Sequence, residues 1–434
     1  MFSEFLMVLN FIFIFCSQIF LFFILFSIIR RFYINHFDPQ NNFDKYFLKD
    51  CIEKQNMSFI IIKITNSNYE EFINFKTWII NQIKLLLENQ NGELETIDFQ
   101  SKKKPKFKMT KITIEDIISK NDLNDLIKSL KSPIFLKFNE DDFTTFLLLS
   151  HAIFDGINII KKIICPIKGQ CNQISKLPSL PKYIPIISEI NLTKTLGRII
   201  SLPKNSLPLL DESPNLLPES NYLKLNLLLK DILSEKKKLE KKYPNQKFNF
   251  LVFPLAIVLY LLKKFIDKNY LEQINKTYFT ICVLGAFDNN NTNNKNSFAF
   301  IPICHKISEI TSIDIEKLKF SNLYNVILNL NNNLEKCKSD LVGTYDILNY
   351  FLSLYNDDDQ SSKFDINYSS LKIPDLNKNL EVSNSQVMLY KNSNPIYVCS
   401  ATNKDKIDLS FSINTSKIYC SKFKKQYENY LFKF

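Results

Sequence analysis

From Phe5 to Ile29 no side chain is charged. At about 1.5 Å of rise per residue, a helix of that length covers the roughly 30 Å hydrocarbon core of a bilayer. No other stretch restricts the chain so strongly. A secretory signal has a shorter apolar stretch followed by a small-residue cleavage site, and neither is visible here. The run is read as a single transmembrane anchor that partners the lipid bilayer, with a cleaved signal and a buried core helix as the alternatives. Glu4 precedes it and Arg30 and Arg31 follow it. The positive-inside tendency therefore places the main body on the cytoplasmic side, on an endomembrane such as the endoplasmic reticulum or elsewhere.

The 434 residues can bury one large core or two of half that size. Net charge is +11, from 55 basic against 44 acidic residues, yet only Arg30, Arg31 and Arg198 are arginines. The lysine runs Lys102–Lys104 and Lys236–Lys242 suit solvated faces. A nucleic-acid groove needs arginine and aromatics interleaved on one face, so no nucleic-acid partner is expected. The nine cysteines are odd in number, with no C-x-x-C pair and no histidine at ligand spacing. They read as reduced packing thiols, and no metal site is expected.

Strand-like and helix-like segments alternate through the rest. MSFIIIKIT reads as a strand, and NYEEFINFKTWIINQIKLLLENQ as a helix with Phe72, Phe75, Ile79, Ile83 and Leu86 on one face and Asn68 as its N-cap. ELETIDF and KFKMTKIT are short strands, IEDIISKNDLNDLIKSL is helical, and PIFLKFN with FTTFLLL forms a hairpin around the polar EDD. Trp78 is expected in the core. Eight of the sixteen prolines lie between Pro166 and Pro218, too many for regular structure to persist, so this stretch reads as a crossover between halves. Beyond it come the strand YLKLNLLL, a basic helix around DILSEKKKLEKK, and FLVFPLAIVLYLLKKFI, read as a buried helix rather than a second membrane span. TYFTICVL and SFAFIPI are strands flanking an Asn-rich loop from Asn289 to Asn296. The helix NLYNVILNLNNNLEKCK, the strands EVSNSQVMLY, IYVCSAT and KIDLSFSI, and a closing helix SKFKKQYENYLF complete the chain. This pattern predicts a mixed α+β architecture repeated twice.

The chain has only three histidines, His36, His151 and His305, and six glycines. One histidine lies in SHAIFDG, just after the apolar strand FTTFLLL. A catalytic imidazole needs an exposed ring edge, a neutral tautomer and a fixed orientation. A strand end offers a position that projects into a cleft. Asp155, one turn on, can shape the loop or meet a cation, and Gly156 lets the chain turn into the helix INIIKKII. A structural histidine at a strand end is the plain alternative. His305, in IPICHKIS, lacks flanking acid–base residues and is expected at a strand-end surface, and His36 at the membrane interface.

SHAIFDG resembles the HHxxxDG signature of the coenzyme A-dependent acyltransferase superfamily, which includes chloramphenicol acetyltransferase, condensation domains, wax ester synthases and alcohol acetyltransferases. FNFLVFPLAIVLYLL resembles that family's long buried helix, EVSNSQVML its Ser-Asn strand, and KIDLSFSI its closing elements. The resemblance implies an α+β (α/β two-layer) fold of two chloramphenicol acetyltransferase-like half-domains around a central channel. The corresponding division is residues 1–45 as anchor, 46–165 and 221–434 as half-domains, and 166–220 as crossover. It also implies that His151 is the general base for transfer of an acyl group, acetyl included, from coenzyme A to a hydrophobic alcohol or amine. Asp155 and Gly156 would be structural. Acyl-coenzyme A would be a cosubstrate, with no permanently bound cofactor. Ser383 and Asn384 are candidate oxyanion donors, with ordinary strand-edge bonding as the alternative. No Asp-Ser-Leu type phosphopantetheine site is apparent, so a carrier protein is the less favoured acyl donor. Two departures stand out: Ser150 replaces the first histidine, and TICVLGAFD lacks the arginine that pairs with the motif aspartate in the family. They keep open a second reading, an inactive condensation-like fold that binds a lipid or partner at the membrane.

Overall fold

The structure, a computed structural model, describes residues 59–98, 106–118, 132–151, 185–203, 222–286, 298–338, 364–372, 384–389, 395–403 and 405–419, with short pieces between and beyond them. Apart from the helical positions Gln18, Leu21 and Leu25, the expected anchor lies outside the described residues, as do the Asn289–Asn296 loop, His36, Asp155 and Ser383. Among the described residues, no helix is long and apolar enough to cross a membrane.

The first sheet has four strands. Strand β1 (Phe59–Thr65) pairs antiparallel with β5 (Thr144–Ser150), and β5 pairs with β4 (Ile134–Asn139) as the expected hairpin. Helix α1 (Tyr69–Asn89) packs its buried Phe72, Phe75, Ile79, Ile83 and Leu86 into this half's core. These positions recur at helical spacing and form one apolar stripe. Asn68 caps the helix, its Oδ1 accepting from the Glu71 N–H at 2.9 Å. Strands β2 (Glu93–Asp98) and β3 (Lys106–Lys111) form a separate hairpin, and Trp78 is partly buried against the core. Of the helix expected over IEDIISKNDLNDLIKSL, only α2 (Ile114–Ile117) lies among the described residues. Gly156–Ile159 is helical (α3).

The second half is built on a seven-stranded mixed sheet. Its strands are β6 (Tyr222–Leu228), β7 (Tyr278–Ala286), β8 (Phe298–Lys306), β9 (Ile366–Lys372), β11 (Ile396–Asn403), β12 (Lys406–Ile413) and β13 (Leu431–Phe432), in spatial order β13-β6-β12-β11-β9-β7-β8. Helix α5 (Leu229–Lys242) is basic and lies partly exposed. Helix α6 (Val252–Phe265) is apolar all round and buried along nearly its whole length, as a helix without a polar face must be. Pro254 sits in its first turn, where the N–H that proline lacks has no intrahelical partner anyway. A short helix α7 (Lys268–Gln273) follows, and α8 (Phe320–Cys337) packs against α6 and β8.

Four features depart from the sequence reading. A 17-residue helix, α4 (Pro185–Ser201), occupies the proline-rich crossover. Pro185 opens it, and no further proline intervenes before Pro203, so the prolines bracket a helix instead of forbidding one. The closing helix ends in strand β13, which pairs parallel with β6. Strand β9 had no sequence expectation. Finally, β10 (Asn384–Leu389) belongs to the other half's sheet and pairs antiparallel with β1 from Ile60↔Leu389 to Thr65↔Asn384. Strands β11 and β12 each already have neighbours on both sides, so the free edge of β1 is where β10 can satisfy its backbone groups.

Candidate active site

His151 follows directly on β5. The Ser150 N–H donates to the Pro133 carbonyl at 2.9 Å, and the Ser150 carbonyl accepts from Ile153 at 3.1 Å and Phe154 at 2.9 Å. The chain therefore leaves the sheet in a tight turn with His151 at its apex. Ile153 and Phe154 are buried on either side of the turn's exit, which fixes the loop by packing. The imidazole Nδ1 is withdrawn from solvent, although the residue as a whole keeps partial exposure. Burial lowers the ring to about 4, against a smaller opposing effect of a backbone hydrogen bond. The ring is therefore neutral throughout the physiological range, the state a general base requires.

Helix α3 begins at Gly156 and lies against β9 of the other half. A Cβ added at Gly156 would sit 3.0 Å from Leu371 Cδ2. The glycine thus marks where the two halves approach closely. Asp155, predicted beside it, is outside the described residues. Of the predicted oxyanion donors, Ser383 is also outside them. Asn384 is not brought to His151: it pairs with Thr65, while Ser150 pairs with Phe59 at the opposite end of β1. Six residues of strand separate the two levels by about 20 Å. The expectation for Asn384 is corrected on that ground.

His305 also differs from its expected surface position. It is 2% exposed and shares the core-facing parity of Ile301 and Ile303 on β8. Desolvation lowers its basicity, and it faces the helix-covered core, away from the other half. Cys282, Cys337 and Cys399 are buried thiols outside any disulfide, in keeping with a packing role.

The sequence reading missed a polar surface on the seven-stranded sheet. Residues directly opposite across a ladder share a face. One face carries Leu223, Phe411, Val398, Tyr368 and Val283, all within the helix-covered core. The other face carries Tyr222, Ser412, Tyr397 and Asn367 in one row, then Lys224, Ser410, Cys399 and Ser369 in the next. Tyr222, Tyr397, Cys399 and Val387 of β10 join the apolar cluster that holds Ile153 and Phe154. This second face is therefore the junction between the halves. The Tyr397 and Ser369 hydroxyls are hydrogen-bonded to each other at 2.8 Å, and Leu371, two residues beyond Ser369, is the one against Gly156. Lys224 pairs with Asp408 at 3.4 Å, both nearly fully buried. Asp408 also accepts from the Ser385 hydroxyl at 2.8 Å, and Ser410 accepts from the Val387 N–H at 3.1 Å. These bonds clamp the exchanged strand β10 to the sheet beneath it.

Two open clefts of about 630 and 560 Å³ share Lys264, Lys268 and Asp314 beside the end of α6. Neither is lined by a motif residue. Among the described residues no group of side chains is arranged to hold a metal ion.

No family profile and no curated protein matches the sequence. Solved structures do. Trichothecene 15-O-acetyltransferase TRI3 from Fusarium sporotrichioides is similar with a TM-score of 0.57, at 12% identity over 89% of this chain and 92% of that one. A starter condensation domain of rhizomide synthetase, in complex with C8-CoA and Leu-SNAC, has a TM-score of 0.51 at 7% identity over 88% and 90%. The chain shares the fold of these two proteins. In this fold, the strand-end turn carrying His151 and the polar face of the larger sheet meet where the two halves join.

Proposed function

We propose that the chain is an acyltransferase, anchored in a membrane through Phe5–Ile29 with its main body on the cytoplasmic side. It moves an acyl group from coenzyme A to a hydrophobic alcohol or amine. The observation that carries this reading is a neutral, partly buried imidazole on a tightly turned strand end at the junction of two halves. Fold similarity adds weight, since the similar proteins are described as an acetyltransferase and as a condensation domain holding C8-CoA.

In the proposed reaction the acceptor O–H or N–H lies against the imidazole between the halves. As its oxygen or nitrogen attacks the thioester carbonyl carbon, His151 takes the proton. The tetrahedral oxyanion then collapses, the C–S bond breaks, and the imidazolium returns the proton to the departing thiolate of coenzyme A. Low basicity limits the driving force for the first proton transfer, so positioning must supply much of the acceleration. The Tyr397–Ser369 hydroxyl pair replaces Asn384 as the candidate donor to the oxyanion. Nothing in the chemistry needs a resident cofactor.

The test gives membranes carrying the protein labelled acetyl-coenzyme A with fatty alcohols, sterols and amines. Transfer that disappears in His151→Ala supports the reading. Equal behaviour of the two forms supports the alternative, an inactive fold that binds a lipid or partner. That alternative is favoured by Ser150 at the first motif position and by β7, which carries no basic residue.

A further inference from the structure

Helix α5 holds a charge run for which acyl transfer has no use. It carries six lysines against three acidic residues. All three acids are partly buried, and two are engaged within the fold. Glu235 accepts from the Tyr324 hydroxyl of α8 at 2.7 Å and pairs with Lys238. Glu240 pairs with Lys236 and accepts from the Phe248 N–H at 3.3 Å. Asp231 lies in the first turn, where the helix dipole favours an acid. Lys230, Lys237 and Lys241 are exposed, and their spacing of i, i+7 and i+11 keeps them within about 40° of one line along the helix. Among the described residues none of the three has a carboxylate partner.

The groups around this face do not neutralise it. Lys242, also exposed, lies over the Tyr243 and Tyr324 rings at 5.5 and 5.8 Å, and Lys247 is exposed beyond the helix end. On α8 the exposed residues Ser321, Asn322, Asn325 and Asn332 are uncharged, and Glu335 pairs with Lys338. At the start of α5 the exposed Asp405 is followed by the exposed Lys406. Lysines four apart, as Lys237 and Lys241 are, repel and weaken a helix, so the fold gains nothing from the row. Leu233, 43% exposed, flanks it. Point charges on an amphipathic helix match the headgroups of anionic lipids, whereas nucleic acid calls for arginine and stacking side chains. We propose that the outer face of α5 docks on a bilayer surface carrying anionic lipid, with Lys230, Lys237 and Lys241 at the headgroups and Leu233 against the acyl boundary. The choice of a bilayer over an acidic protein rests on the proposed anchor, which keeps such a surface within reach.

The test is lysine footprinting of the full chain, reconstituted in vesicles of phosphatidylcholine alone or with about 30% phosphatidylserine. Acetylation by a membrane-impermeant N-hydroxysuccinimide ester is followed by mass spectrometry. Rates at Lys230, Lys237 and Lys241 should fall at least about threefold on the anionic vesicles and recover in about 0.5 M sodium chloride. Lys84, exposed on α1, should not change. In Lys230→Gln/Lys237→Gln/Lys241→Gln, Lys238 and Lys242 should lose the protection they share in the wild type. Glutamine matches lysine in helix propensity, so the helix survives the substitutions. Equal rates on the two kinds of vesicle, protection that outlasts the salt, or an equal fall at Lys84 would overturn the proposal. Protection by soluble polyglutamate but not by anionic vesicles would overturn it in favour of an acidic protein. The anchor fails separately: a full chain that does not float with neutral vesicles sinks Phe5–Ile29 as a span, while the footprint is still read with vesicles added from outside.

Discussion

The depressed basicity of His151 has consequences for stability and for rate. In the unfolded chain its imidazole titrates near 6.5, and in the fold near 4. Between those values the unfolded chain binds a proton that the folded one does not, so stability rises with pH across that window and is flat above it. Lowering the pH from about 7 to 4 should cost up to roughly 3 kcal/mol through this group. Urea unfolding of wild type and His151→Gln at several pH values checks it: the wild type should lose more between 6.5 and 4 than the variant. If His151 is the base, the acidic limb of kcat/KM should fall near pH 4 instead of near 6.5. The histidine stood out in the sequence because histidine and glycine are rare in this chain and meet in one loop. Lys224, Asp408, Ser369 and Tyr397 did not stand out. They share a face only through the register of strands far apart in sequence, and each looks like an ordinary strand residue by itself.

At the scale of elements, two contacts set how the crossover and the motif helix are held. Asp365, just before β9, is fully buried. It accepts from the Leu207 N–H at 2.8 Å, the Thr280 N–H at 2.8 Å and the Thr280 hydroxyl at 2.9 Å. Lys276 pairs with it at 2.9 Å and also donates to the Asn205 carbonyl, so one ion pair binds the crossover to β7 and β9. Lys276→Met leaves a buried carboxylate without its counter-charge and should cost about 3–5 kcal/mol, while adding Asp365→Asn should restore part of the loss. Denaturant titration of both variants measures this. Gly156→Ala is a gentler case. Gly156 is the first residue of α3, where alanine gains less than the roughly 1 kcal/mol of a helix interior, and the new Cβ meets only the flexible end of Leu371, so the net change should stay within about 1 kcal/mol. Gly156→Val should cost more and be relieved by Leu371→Ala, a coupling that a double-mutant cycle reads directly. Most strands and the long helices were legible from periodicity. Strand β9, INYSSLK, was not, because its alternation mixes serine and asparagine with apolar residues and so hides its period. Helix α4 was hidden because proline count is a weaker signal than proline spacing.

For the whole molecule, β10 makes the two halves interdependent. Its six residues pair with β1 of the first sheet while Ser385 and Val387 bond to Asp408 and Ser410 of the second. Cutting the chain within the crossover therefore separates partners that each need the other. The first half alone leaves the β1 edge unpaired, and the second leaves β10 without a ladder and the junction face open. Exposed strand edges and uncovered apolar surface both favour aggregation. Residues 46–220 and 221–434 should thus be insoluble when produced separately, yet co-purify as a complex when produced together, because the β10–β1 ladder can form between chains. Val387→Pro should abolish that complex, since it removes the N–H that bonds Ser410 and bars regular pairing in the strand. Independent solubility of both fragments, each with its own cooperative unfolding transition, would show that the exchange is incidental. A single shared transition in the intact chain is the expected counterpart. It would also tie the junction face, with Lys224 and Tyr397, to the folding of the sheet that presents His151.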